Sequence, residues 1–217
     1  MTQGKSKDSN DFAEDDLIRG AYAIESQDDA QAFYRLWADD YDDHMVEKLG
    51  YVSPTIVAEQ LLTHCGTPQG AFLDIGCGTG LTGQALADRG VATLDGIDLS
   101  QAMIDKAAAR GIYRRLSLAD LTKPLALPEG GYDAMVSSGT FTHGHVGPGP
   151  LGDLMCLLRR GGHFAFTVHR DIWTGHGFEA EVARLQQAGI LDVVERRLDR
   201  FFAPLEPVGW FVVARRP

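Results

Sequence analysis

The run Phe72-Leu73-Asp74-Ile75-Gly76-Cys77-Gly78-Thr79-Gly80 constrains this chain more than any other stretch. Apolar residues lead to a carboxylate, glycine then falls at every second position, and Leu81 to Leu86 has the composition of a helix. The order reads as strand, tight turn and helix. Without a Cβ, the turn accepts positive φ and lets a ligand lie directly on the main chain at the start of the helix. The stretch therefore predicts a site for a nucleotide-type cofactor.

Two cofactors compete for it. Gly78-Thr79-Gly80-Leu81-Thr82-Gly83 has the spacing of a dinucleotide fingerprint, and Asp98 stands 20 residues beyond Gly78, where the ribose-binding acid of such a site belongs. Asp74 argues the other way. A carboxylate at the strand end repels a pyrophosphate and attracts a cofactor with an ammonium or sulfonium charge. S-adenosylmethionine is such a cofactor. An NAD(P)-dependent oxidoreductase and a non-catalytic protein that binds S-adenosylmethionine stay open as alternatives.

Asp74-x-Gly76-x-Gly78-x-Gly80, followed by Gly96-Ile97-Asp98-Leu99-Ser100, resembles the first two motifs of the class I S-adenosylmethionine-dependent methyltransferases, of the type 11/25-like kind that acts on small molecules. The likeness runs from about Ser53 to the C-terminus. It implies a Rossmann-like, doubly wound α/β fold with a seven-stranded, mostly parallel sheet closed by a C-terminal antiparallel strand. It also implies cofactor contacts from Gly76, Gly78 and Gly80, with Asp74 near the charged methionine end and Asp98 and Leu99 at the ribose. Ala119 and Asp120 would meet the adenine, and Ser137 would close the site at the fourth strand.

At 217 residues, 44% of them apolar and 23% charged, the chain has material for one α/β unit with an appendage. Cys65, Cys77 and Cys156 are widely spaced, without a Cys-x-x-Cys pair, so no disulfide framework or zinc site is expected. That usage suits a reducing compartment, and neither a signal-peptide core nor an apolar run of about 18 residues stands in the sequence. A cytoplasmic protein without a membrane partner is expected. The first 47 residues hold 13 Asp or Glu against four Lys or Arg, a net of −9 out of −10. With no basic face apparent, the composition argues against nucleic acid and for a small-molecule acceptor.

Residues 1–20 are polar, acidic and aperiodic, and are expected to be a disordered tail. Residues 21–52 read as a helical lid: Ser26 begins a helix on which Phe33, Tyr34, Trp37 and Tyr41 share a face. The run from Trp37 to Asp42 is similar to the segment that closes over cofactor and acceptor in many small-molecule methyltransferases, and packing on the core is the other reading of the stripe. Residues 53–217 form the methyltransferase domain, opened by Ser53 as helix cap and Pro54 at the first helical position. Strands and helices alternate from there to Ser138, which predicts a parallel sheet, with Gly161-Gly162 turning the chain before a fifth strand. Leu191 to Phe202 and Trp210 to Arg215 form the closing antiparallel pair.

In such a sheet the ligand lies beyond the carboxyl ends of the strands. Ser137-Ser138-Gly139-Thr140-Phe141-Thr142-His143-Gly144-His145 therefore faces the methyl group. It lacks the Asn- or Asp-Pro-Pro-aromatic run of the enzymes that methylate exocyclic amines of bases. His143 is a candidate general base or hydrogen-bonding group, or a structural loop residue, and His143-x-His145 without a third ligand does not make a metal site. His145 and His169, with Tyr34, Trp37 and Tyr41 of the lid, are the candidate acceptor contacts.

Overall fold

A computed structural model describes residues 42–66, 69–142 and 146–217. The expected tail and the aromatic stripe with Tyr34, Trp37 and Tyr41 lie outside the described residues, as do His143 and His145. The described part begins at Asp42, runs through a π-helical turn at Asp43–Lys48, and enters helix α1, Ser53–Cys65. Strand β1 (Phe72–Ile75), helix α2 (Leu81–Ala87), β2 (Leu94–Asp98), α3 (Gln101–Ala109) and β3 (Arg115–Leu118) follow. Then come β4 (Tyr132–Phe141), α4 (Leu151–Leu157), β5 (Leu158–His169), α5 (Arg170–Gly175), α6 (Phe178–Gln187), β6 (Asp192–Asp199) and β7 (Gly209–Arg215).

The strands form one seven-stranded sheet in the order β3-β2-β1-β4-β5-β7-β6. Strands β1 to β5 pair in parallel, while β7 runs antiparallel to both β5 and β6. Strand order reverses between β1 and β4, so a crevice opens there at the carboxyl ends.

Period-two alternation divides the core. Leu73, Ile75, Met135, Phe164, Phe166 and Val212 point to the face covered by α4, α5 and α6. Their neighbours Phe72, Ala134, Val136, Ala165, Phe211 and Val213 point to the face covered by α1 and α2. With both faces buried, the strands read as continuous apolar runs, which is how a parallel sheet must look in sequence.

Two local expectations are corrected. Ser53 is the first helical residue of α1, with Val52 as its N-cap, and the Ser53 hydroxyl bonds Ser138 instead of a backbone amide. Gly161-Gly162 is not a turn before β5 but an irregularity within it: Tyr132 pairs with Leu158 and Ala134 with His163, so the residues between bulge out. Gly161, at φ +81°, supplies the left-handed conformation, and its amide donates to the Arg216 carbonyl at 2.7 Å.

Candidate active site

The loop Gly76–Gly80 crosses the carboxyl end of β1, with φ of +65° at Gly76, +55° at Gly78 and +91° at Gly80. The three glycines meet different surroundings. A Cβ at Gly76 would overlap Thr140 of β4, and one at Gly80 would overlap Arg110, but at Gly78 it would meet nothing within 4 Å. Gly78 is thus where bare main chain faces open space. Its amide donates to Asp98 Oδ2 at 2.8 Å, while Asp98 Oδ1 accepts from the Ser100 amide at 2.8 Å, so the acid that ends β2 fixes the glycine loop. Burial raises the Asp98 pKa, and the amides of Ser100, Gly78 and Leu99 oppose that shift.

An open cavity of about 1000 Å³, counting its mouth, runs along these strand ends. Asp98, Leu99, Met103, Ala119 and Leu121 line one end, and Gly76, Cys77 and Gly78 line the middle. Tyr51, Pro54 and, from the carboxyl end of β4, Ser138 and Thr140 line the other end.

Asp74 lies behind the loop, fully buried, and does not line the cavity. Tyr113 donates to its Oδ2 at 2.7 Å, and its Oδ1 has no hydrogen-bond partner among the described residues. Burial pushes its pKa up to about 7; the Tyr113 bond pulls it down, the charge of Asp98 adds to the rise, and the Gly83 amide facing the carboxyl lowers it again. The Tyr113 ring occupies a slot that glycine keeps open, since a Cβ at Gly83 or Gly96 would overlap it. Gly83, the last glycine of the dinucleotide-like spacing, is therefore explained by packing against Tyr113.

Leu99 and Ala119 lie on the cavity wall as expected, and several other candidates do not. Asp120 turns into its own loop, accepting from the Thr122 hydroxyl at 2.6 Å, pairing with Lys123 at 2.9 Å and accepting from the Thr122 amide at 2.9 Å, and these contacts hold its pKa at about 2. Ser137 is fully buried and donates to the Ile75 carbonyl at 2.8 Å; strand alternation brings its neighbour Ser138 to the cavity instead. His169 is buried at the end of β5, where its Nδ1 accepts from the Asp171 amide and caps α5. Thr140 lies in the run expected to face the methyl group, but sequence reasoning missed Tyr51 and Pro54, and it missed the Asp42 carboxylate, which accepts from Thr79 Oγ1 and pairs with Arg110. Nothing in the spacing of the chain signals these contacts, because they bridge segments far apart in sequence.

The residues present fit S-adenosylmethionine. Gly78 offers a cradle that a Cβ would fill, and Ile97, Met103 and Leu121 supply apolar walls for a ring. Behind the loop, the unpartnered Asp74 Oδ1 supplies negative potential for a cation.

Fold, strand order and loop define a class: the chain belongs to the class I S-adenosylmethionine-dependent methyltransferases, and its cofactor is S-adenosylmethionine. Residues 72–162 match the family described as "Methyltransferase domain". Over 184 residues the chain is 34% identical to human Methyltransferase-like protein 27, covering 80% of this chain and 72% of that one. A solved S-adenosylmethionine-dependent methyltransferase from Clostridium acetobutylicum superposes with a TM-score of 0.62 at 14% identity, covering 84% of this chain and 98% of the other. The oxidoreductase and non-catalytic alternatives fall away.

A bovine relative, named 18S rRNA (guanine-N(7))-methyltransferase, is 43% identical over 65 residues, 30% of this chain and 23% of its own length. Four further relatives are named for the same guanine N7 methylation of 18S rRNA. The expectation of a small-molecule acceptor with nucleic acid excluded is therefore corrected. The expectation rested on the lack of a basic face in a chain that is nearly neutral outside its acidic first 47 residues. A base can also be read by stacking and by its edges, without a basic groove. Among the described residues, no helix is long and apolar enough to cross a membrane.

Proposed function

We propose that this enzyme methylates a ring nitrogen that carries a lone pair and no proton, with N7 of a guanine in RNA as the acceptor. The observation that carries this reading is the end of the cavity at the carboxyl end of β4, which the hydroxyl-bearing residues Tyr51 and Ser138 line, while the Thr140 hydroxyl beside them donates to the Ile75 carbonyl at 3.1 Å. Hydroxyls hydrogen-bond a neutral heterocycle without placing a charge against it, and the names of the five rRNA-methylating relatives point to the same acceptor.

When bound, the cofactor supplies a methyl group already activated by the sulfonium charge. The chain's part is placement. In this reading Gly76 and Gly78 lay the main chain against the ligand, Asp98 receives the ribose hydroxyls, and Leu99, Ala119 and Leu121 enclose the adenine. Asp74 acts through space from behind the loop: its carboxyl, with a pKa raised to about 7 by burial, is part-protonated near neutral pH in the free protein and would be held as the anion by a sulfonium charge in front of it. Holding the acceptor and the methyl group in line within a site closed to water supplies most of the acceleration such a transfer needs. N7 has no proton to surrender, so no general base is required.

The test is transfer of tritium from methyl-labelled S-adenosylmethionine to ribosomal RNA, with mapping of 7-methylguanine by chemical cleavage of the product. Label at guanine N7 is expected. Label confined to other bases, or none in RNA, would overturn the acceptor assignment.

A further inference from the structure

Beyond Ser137, β4 leaves the regular ladder. Ser137 pairs with Phe166 and Phe141 with Val168, so Ser138, Gly139 and Thr140 stand opposite a single residue of β5, Thr167. Such a bulge re-aims the chain, and all three of its residues line the acceptor end of the cavity. Gly139, at its centre, takes φ +77°.

The bulge is pinned from three sides. The Gly139 amide donates to Thr167 Oγ1 at 3.2 Å, and Ser138 Oγ shares a hydrogen bond with Ser53 Oγ of α1 at 2.9 Å. Ser137 Oγ and Thr140 Oγ1 both donate to the Ile75 carbonyl, at 2.8 and 3.1 Å. Ile75 directly precedes Gly76, so the acceptor end and the cofactor loop are fixed to one carbonyl.

Thr167 is the polar exception in its strand. It is fully buried in the run Phe164-Ala165-Phe166-Thr167-Val168, where valine would fill nearly the same volume. A hydroxyl taken out of water costs free energy unless it is hydrogen-bonded, and the oxygen here receives the amide at the centre of the bulge. Gly139 adds no side chain on the cavity side: a Cβ there would stand 3.1 Å from the Tyr51 hydroxyl of the opposite wall. The peptide at Gly139 is therefore a bare and fixed surface, which suits a flat ring.

We infer that the bulge at residues 138–140 is the seat of the acceptor ring, and that Thr167, which does not itself line the cavity, is the positioning residue that holds the seat at Gly139. The inference rests on the guanine N7 reading and adds where the base lies. Because the bulge shares the Ile75 carbonyl with the glycine loop, the seat is held in register with the cofactor site.

The experiment compares Thr167→Val, Thr167→Ser and Gly139→Ala with the parent enzyme in kcat/KM for ribosomal RNA, affinity for S-adenosylhomocysteine and melting temperature. Thr167→Val removes the acceptor of the Gly139 amide, and since a misplacement of about 1 Å costs on the order of 100-fold in rate, kcat/KM is expected to fall by roughly 10–100-fold. Affinity for S-adenosylhomocysteine should hold, because β4 separates Thr167 from the strand that carries the glycine loop. Thr167→Ser keeps the hydroxyl and should stay near the parent. Gly139→Ala places a methyl group in the seat and should fall further than Thr167→Val, again with S-adenosylhomocysteine bound as in the parent. Parental kcat/KM in Thr167→Val, an equal fall in Thr167→Ser, or a loss of S-adenosylhomocysteine affinity matching the fall in kcat/KM would overturn the role of Thr167 and leave the guanine reading in place. Full activity of Gly139→Ala toward RNA would overturn the seat even if Thr167→Val does not fold. A parent enzyme that labels no RNA would overturn the guanine reading and this inference together.

Discussion

Tyr113 donates a 2.7 Å hydrogen bond to Asp74 Oδ2 in the interior, where the carboxyl's second oxygen has no partner among the described residues. Burial raises this pKa to about 7, well above the ordinary aspartate value, so over the intervening range the folded state holds a proton that the unfolded chain has released. The stabilisation thus belongs to the protonated form: it is complete below about pH 4 and is lost as pH rises through about 7. Asp74→Asn removes that pH dependence. Relative to the parent, the variant should gain stability between pH 4 and pH 8 by on the order of 4 kcal/mol, read by thermal unfolding across that range. The same change should weaken S-adenosylmethionine more than S-adenosylhomocysteine, which lacks the sulfonium charge, in calorimetry. Equal losses for both ligands would mean that the Asp74 charge does not act on the sulfonium.

Gly78 and Gly83 look alike in the sequence and should respond in opposite ways. At Gly78 an added Cβ meets open space but the φ of +55° disfavours it, at a cost of about 1–2 kcal/mol, and the methyl intrudes on the cofactor cradle. Gly78→Ala should fold and lose most of its affinity for S-adenosylhomocysteine. Gly83 sits within α2, where alanine would ordinarily help by about 1 kcal/mol. Its Cβ would overlap the Tyr113 hydroxyl, though, and overpacking costs about 1–3 kcal/mol. Gly83→Ala should therefore lower the melting temperature and shift the pH dependence set by Asp74. A stabilised Gly83→Ala would show that Tyr113 moves aside at no cost.

Asp98 accepts from the amides of both Gly78 and Ser100, so its removal acts on the loop as well as on a ligand. Asp98→Ala should weaken S-adenosylhomocysteine by about 1.5–3 kcal/mol, the range for hydrogen bonds to a charged group. It should also cost roughly 1 kcal/mol of stability, because the Gly78 amide loses its acceptor. Calorimetry and chemical denaturation separate the two effects. Unchanged binding would place the ribose elsewhere.

What the sequence revealed of this site, and what it did not, divides by the range of the interactions. Asp74, the glycine loop and Asp98 are legible because strand, turn and helix are local, and because the acid of a neighbouring parallel strand must recur one βαβ unit later. The doubly wound sheet follows from the same alternation. Choosing between Ser137 and Ser138 required the pleat register, and one residue of error reverses which side chain faces the cavity. Tyr51 was placed in the lid, yet it is fixed by Phe202, which lies 151 positions further along the chain. Asp120 and His169 are polar residues after strands, as binding residues are, and here they satisfy their own loop and helix cap instead. The acceptor argument failed because the lack of a basic patch in the sequence does not report how one cavity reads a base.

Arg110, just past the end of α3, makes two contacts at once. Its Nε donates to the Thr79 carbonyl at 2.6 Å, and its Nη2 pairs with the Asp42 carboxylate, which also accepts from the Thr79 hydroxyl. The guanidinium thus ties the segment that enters from the N-terminal side to the glycine loop. A lysine ammonium cannot reproduce the fork, so Arg110→Lys should behave much like a deletion of the contact. Both side chains are partly exposed, which limits the pair to about 0.5–1 kcal/mol, or roughly a 2–5-fold loss of S-adenosylhomocysteine affinity in Arg110→Lys or Asp42→Asn. Since the ion pair is lost in either single variant while each residue also has its own contact to Thr79, the double variant should lose less than the sum of the two. Raising the salt concentration should narrow the difference from the parent, because a partly exposed pair is screened. Additive losses in the double variant would show that Asp42 and Arg110 act on the loop independently.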